Sequence, residues 1–104
     1  MFDSSGFELV DVRIGDLVPL DTPAHVAIRP VLFAMSDKEL LHSVRQPRNL
    51  DFVVINTRTG YLHDGNGRVL ELQRRAAAPG SSIQADMTIP VEYYTPDLSM
   101  FADL

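Results

Sequence analysis

A chain of 104 residues, 45% hydrophobic and 22% charged, has the size and composition of one globular domain and lies outside the disordered and fibrous ranges. Without cysteine it can hold neither disulfides nor thiolate metal sites, and a net charge of −5 opposes any function whose affinity comes from neutralising phosphates with clustered Lys and Arg. No apolar run approaches the roughly 18 to 20 residues that span a bilayer, and "MFDSSGFELV" carries acids where a signal peptide needs a basic start, so neither membrane insertion nor export by that route is expected.

In chain order, residues 1–6 read as an arm and "FELVDVRI" (7–14) as a short strand rich in Val and Ile, broken by Gly15-Asp16. Pro19, Pro23 and Pro30 each remove a backbone donor, so strands are expected near 24–29 and 31–35, at an edge or interrupted. "SDKELLHSV" is the clearest helix start: Ser36 and Glu39 fit a capping box, Asp37 suits the positive helix end, and Pro47 stops a helix of about 37–45. Leu40, Leu41 and Val44 are its core-facing residues. "LDFVVIN" (50–56) is a continuous apolar run suited to the centre of a sheet. "TRTGY" turns, and Asp64-Gly65 and Asn66-Gly67 favour a hairpin. The segment 68–78 fits either a strand to about Arg74, which is preferred here, or a helix ended by Pro79-Gly80.

"SSIQADMTIPVEYY" (81–94) alternates without exception: Ile83, Ala85, Met87, Ile89, Val91 and Tyr93 on one parity, polar residues and Pro90 on the other. That pattern predicts one long strand, wet on one side, with Pro90 marking an edge. Residues 95–104 read as an apolar arm. The fold expected is mainly β, with one short helix: a single β-rich domain over 1–104, built as a small antiparallel β-sandwich or barrel-like sheet and flanked by arms 1–6 and 95–104.

Charge runs acidic, basic, acidic, with balances of −4 over 1–44, +3 over 45–75 and −4 over 76–104. Internal neutralisation accounts for it; head-to-tail association of copies would also use it. His25, His42 and His63 have neither i, i+2 nor i, i+4 spacing, so no metal is expected, and no cofactor. "DGNGR" leaves the calcium-loop pattern after two positions, and "GNG" lacks the dinucleotide spacing. "RQPR" with "RR" can touch phosphate or acidic protein.

Two functional classes follow. The first is a non-enzymatic structural or interaction protein that pairs with copies of itself or docks on a scaffold, such as a bacteriophage capsid-decorating or tail-accessory component, found in the virion or host cytoplasm. Its partners are proteins, with no nucleic acid and no membrane. Its interface residues would be Phe2, Phe7, Arg74, Arg75, Pro90, Tyr94, Met100, Phe101 and Leu104. The second starts from Asp51 in "LDFVVI" and Glu71 with Gln73 in "VLELQ". This pattern resembles the metal-binding half of PD-(D/E)xK nucleases, with Gln73 in the Lys position, and the resemblance implies Mg²⁺ held by Asp51 and Glu71. It requires 68–74 to be a strand beside 51–56. A small inhibitor of a host enzyme, acting through an acidic face, shares the composition.

Overall fold

The computed structural model describes residues 8–20 and 23–96, the side chains of 23–27 excepted. The arm 1–6 and all of the arm 95–104 beyond Pro96 lie outside the described residues, and with them Phe2, Phe7, Met100, Phe101 and Leu104. The elements run β1 (Leu9–Arg13), α1 (Pro23–Ala34), α2 (Asp37–Arg45), β2 (Val53–Asn56), β3 (Leu62–Asp64), α3 (Asn66–Ala76) and β4 (Thr88–Tyr94), with 3₁₀ turns at Ile14–Asp16 and Arg48–Leu50. The fold is therefore α+β, which corrects the expected antiparallel sandwich. One mixed sheet has the order β1-β4-β2-β3; β4 is antiparallel to β1 and parallel to β2, and β2 is antiparallel to β3. A parallel pair needs a crossover. Here β3 and α3 supply it between β2 and β4.

The helix predicted at 37–45 is Asp37–Arg45, and its capping box is closed: the Glu39 amide donates to Ser36 Oγ at 3.1 Å while the Ser36 amide donates to Glu39 Oε1 at 2.8 Å. That second bond, first from the Ser36 backbone, holds the Glu39 carboxyl below its ordinary range. Leu40 and Val44 are fully buried and Leu41 half-buried.

Three sequence expectations fail, each for a physical reason. Residues 23–34 form α1 rather than two strands, with Pro30 inside the helix. Pro23 sits at the first helical position, where its missing amide costs nothing; Pro30 costs about 3 kcal/mol in a helix interior, set against the packing of α1 on α3. Residues 66–76 form α3 rather than a strand: burial falls on Val69, Glu71, Leu72 and Arg75, and the steps of three from Val69 to Leu72 to Arg75 share a helix face, whereas a strand would turn Leu72 away from the other three. Gly65, at φ 88°, caps that helix instead of turning a hairpin, and the turn that joins β2 to β3 lies at 57–61.

The long alternating strand is the third. Only Thr88–Tyr94 is regular, and Pro90 lies on an inner strand, which corrects its assignment to an edge. The register explains how it is tolerated. The Ile14 amide bonds Met87 O at 2.8 Å, so bonded pairs with β1 recur at Ile89 and Val91. The Asp11–Pro90 pair is then a non-bonded one, with the Pro90 nitrogen turned away from β1. On the other side, β2 begins only at Val53, opposite Val91, so no β2 residue needs a donor from Pro90. Residues 81–87 leave the sheet; their alternation survives in the buried Ile83 and in the bond from the Gly15 amide to Ala85 O.

The core lies between one face of the sheet, Val53, Ile89 and Val91, and the helices, Leu32, Leu40, Val44, Val69 and Leu72, with Ile14, Leu17, Leu62 and Ile83 closing its rim. Within it sits a buried ion network. Arg75 Nε donates to Glu71 Oε2 at 2.7 Å and Nη1 to Asp37 Oδ1 at 2.9 Å, while Nη2 donates to the carbonyls of Leu32 and Met35 at 2.9 and 2.7 Å. One guanidinium thus ties the end of α1 and the start of α2 to α3. No helix among the described residues is long and apolar enough to cross a membrane.

Candidate anion-binding groove

A groove of about 710 Å³ runs between α2, the 3₁₀ turn at 48–50 and the first turn of α3. Its walls carry Lys38 and His42 from α2, Arg48 and Asp51 from the turn, and Arg68 from α3, with Met35 and Pro47 as apolar parts. The local sequence sets each position. The Ser36 cap fixes the phase of α2, so that Lys38 and His42, four apart, share a face. Pro47 ends α2 and starts the turn that brings Arg48 back over the same face. Gly65 lets the chain leave β3 and enter α3 at once; a Cβ there would come within 2.9 Å of Val53 Cγ2.

Arg68 is the inner wall. Its guanidinium is mostly buried, donates to Ser43 O at 3.0 Å, and lies 3.9 Å from Asp51 Oδ2. Lys38 and Arg48 make no ion pair with any described residue, whereas Glu39, the other acid on the lining, is held in the capping box. Asp51 is the exception to the positive lining. Desolvation, and then the hydrogen bond it shares with Asp64, push its carboxyl above the usual aspartate range, with Arg68 opposing. The groove is therefore positive on balance, lies beside the positive end of an 11-residue helix, and has an apolar side. It suits a small anion that carries an apolar portion.

The residues of the metal reading do not form a site. The segment 68–74 is helical, so the strand on which a shared ion depends is absent. Glu71 is 2% exposed and fully engaged, held by Arg74 at 2.8 and 2.6 Å and by Arg75 at 2.7 Å. Its bonds, to Arg74 first, keep its carboxyl below the ordinary range. Gln73 Nε2 donates to the carbonyls of Ile14 and Leu17 at 2.9 and 2.8 Å and so pins the 3₁₀ turn after β1 to α3. Only Asp51 reaches the groove. Among the described residues no three His, Asp or Glu come together as a metal site.

Of the interface residues inside the described part, Arg75 is buried in the ion network and Pro90, half-buried, lies on an inner strand of the sheet. Arg74 stays largely exposed, over the Phe33 ring at 5.1 Å, and Tyr94 is 41% exposed with its ring 4.6 Å from that of His63. Sequence reasoning passed over Lys38, His42 and Arg68. The available signal was the Lys38–His42 spacing on a well-marked helix, together with a basic residue just past a glycine turn.

The two-layer α+β architecture and this groove are what the chain itself defines. Compared with protein-family models, curated proteins and solved structures, it matches none.

Proposed function

We propose that the chain is a binding domain for a small phosphate-bearing ligand, held in the groove between α2 and the start of α3. The observation that carries this reading is the convergence of Lys38, His42, Arg48 and Arg68 from three separate elements on one cavity. Lys38 and Arg48 have no partner of opposite charge among the described residues, so both remain available to an anion. Arg68, braced by Ser43 O, offers a fixed fork of the kind that matches phosphate oxygens. The overall charge of −5 does not oppose it, because a small ligand meets the local field of a cleft rather than the net charge. Isothermal titration with inorganic pyrophosphate tests it. The exposed pair supplies the controls: Lys38→Glu and Arg48→Glu each lower affinity by about tenfold or more, with the thermal midpoint unchanged. Undetectable binding by the wild-type chain, or binding indifferent to both reversals, contradicts the proposal.

A second reading, self-association or docking on a larger assembly such as a virion, is favoured by one feature. α1 leaves Ile28, Val31 and Phe33 exposed at 45, 61 and 52%, an apolar surface of the kind that marks contact sites. Light scattering tests the self-association: a concentration-dependent mass reversed by Val31→Asp supports it, and a strict monomer at millimolar concentration refutes it.

A further inference from the structure

The groove carries its own competitor for the anion it attracts. Of the two acids on its lining, Glu39 is bound in the α2 capping box, whereas the Asp51 side chain is 61% exposed opposite Arg68, with Oδ2 3.9 Å from Arg68 Nη2. That separation exceeds hydrogen-bond range, so Asp51 holds Arg68 through charge alone and does not fill its fork of donors. Arg68 is fixed by comparison, 14% exposed and braced by its bond to Ser43 O at 3.0 Å. A phosphoryl group entering the groove therefore meets an anchored guanidinium and, beside it, a carboxylate that repels it.

The groups around Asp51 govern when that carboxylate is charged. Arg68 comes from α3, Arg48 from the turn, and Lys38, Glu39 and His42 from α2 on the groove wall. Asp64 comes from β3, and its Oδ1 already accepts the Gly65 amide at 2.8 Å, so it faces Asp51 as an acceptor. Two carboxyl groups that share a hydrogen bond need a proton between them. Desolvation, and then this bond with Asp64, hold the Asp51 carboxyl above its ordinary range against the pull of Arg68. We infer that Asp51 is a proton-operated gate on the groove: ionised, it engages Arg68 and repels the ligand; protonated, it donates to Asp64 and frees Arg68 for the phosphoryl group. Affinity for a phosphate-bearing ligand then rises on acidification, and by linkage the bound anion makes Asp51 harder to ionise. His42, on the same lining, gains positive charge in the same direction. This inference rests on the groove reading above and adds its regulation.

The test takes the ratio of pyrophosphate affinities, Asp51→Asn over wild type, by isothermal titration of the full chain at about pH 7.5 and about pH 5. The probe's own ionisation and that of His42 are common to both chains and cancel in the ratio. It should be about threefold or more at the higher pH and narrow to under about twofold at the lower, as protonation removes the wild-type charge. A second measurement needs no variant: carbon-13 detection of the wild-type Asp51 carboxyl, whose titration midpoint saturating pyrophosphate should raise by about 0.5 in pH or more, the reciprocal of a threefold effect. A ratio that is the same at both pH values, a ratio below one at the higher pH, or a carboxyl midpoint unmoved by bound pyrophosphate overturns the gate and leaves the groove reading intact. A wild-type chain that binds no pyrophosphate at either pH overturns both.

Discussion

Arg75→Met isolates the ion network that holds the groove's scaffold. The substitution keeps a linear apolar stem but removes four hydrogen bonds, to Glu71, Asp37, Leu32 O and Met35 O. Removing one partner of a buried ion pair costs about 3–5 kcal/mol. Arg74 stays bidentate on Glu71, so the buried carboxylate keeps one cation and the loss should sit near the lower end, about 3 kcal/mol. Against the 5–15 kcal/mol typical of a domain, that is a large share. Urea unfolding followed by far-ultraviolet circular dichroism measures it. The double variant Glu71→Leu, Arg75→Met should recover part of the loss, because apolar replacements of similar volume often match a buried pair, while Arg74, more than half exposed, gives up little. A single-variant loss under about 1 kcal/mol, or a double variant whose losses simply add, would refute the view that the network acts as a unit.

Acid unfolding should follow the same groups. Glu71 is held low by Arg74 and Arg75, and Asp37 by Ser82 and Arg75, so the unfolded chain binds protons more readily than the folded one. Their stabilisation is complete above about pH 4.5 and is lost as pH falls through the lowered values; the urea midpoint should decline there, less steeply in Glu71→Gln, and equal slopes would contradict the assignment. Asp51 has the opposite sign, since its raised value means that ionisation at neutral pH opposes folding. Asp51→Asn should therefore leave the thermal midpoint unchanged or higher at pH 7 and tighten pyrophosphate binding about threefold or more by freeing Arg68; weaker binding would assign Asp51 to ligand contact instead. Gly65→Ala combines a left-handed backbone with a Cβ pressed on Val53, and should cost about 2–3 kcal/mol in urea titration; a loss under about 0.5 kcal/mol would mean that the turn relaxes freely.

What the sequence revealed was local. Ser36 and Glu39 disclose α2 because both halves of a capping box lie within four residues, and the apolar run before Asn56 discloses an inner strand because burial on both sides leaves no polar alternation. The prolines misled. Pro23 and Pro30 read as strand breakers, yet one suits a helix start and the other is outweighed by packing on an element 40 residues away. For 68–76 the periods of two and 3.6 both fit, and the deciding contact, Arg75 on Asp37, spans 38 positions. The groove was illegible for the same reason: Lys38, Arg48 and Arg68 meet only after α3 has crossed back over the sheet. Arg48 lies within "RQPR", the basic run that local reading had marked as able to touch phosphate or acidic protein.

The most direct test of the groove is a titration of the ¹⁵N-labelled chain with inorganic pyrophosphate, followed amide by amide. Saturable shifts confined to residues 38–51 and 65–68, abolished in Lys38→Glu, Arg48→Glu, are the predicted result. Shifts absent at saturating pyrophosphate, or centred on α1 or the open face of the sheet, would contradict it.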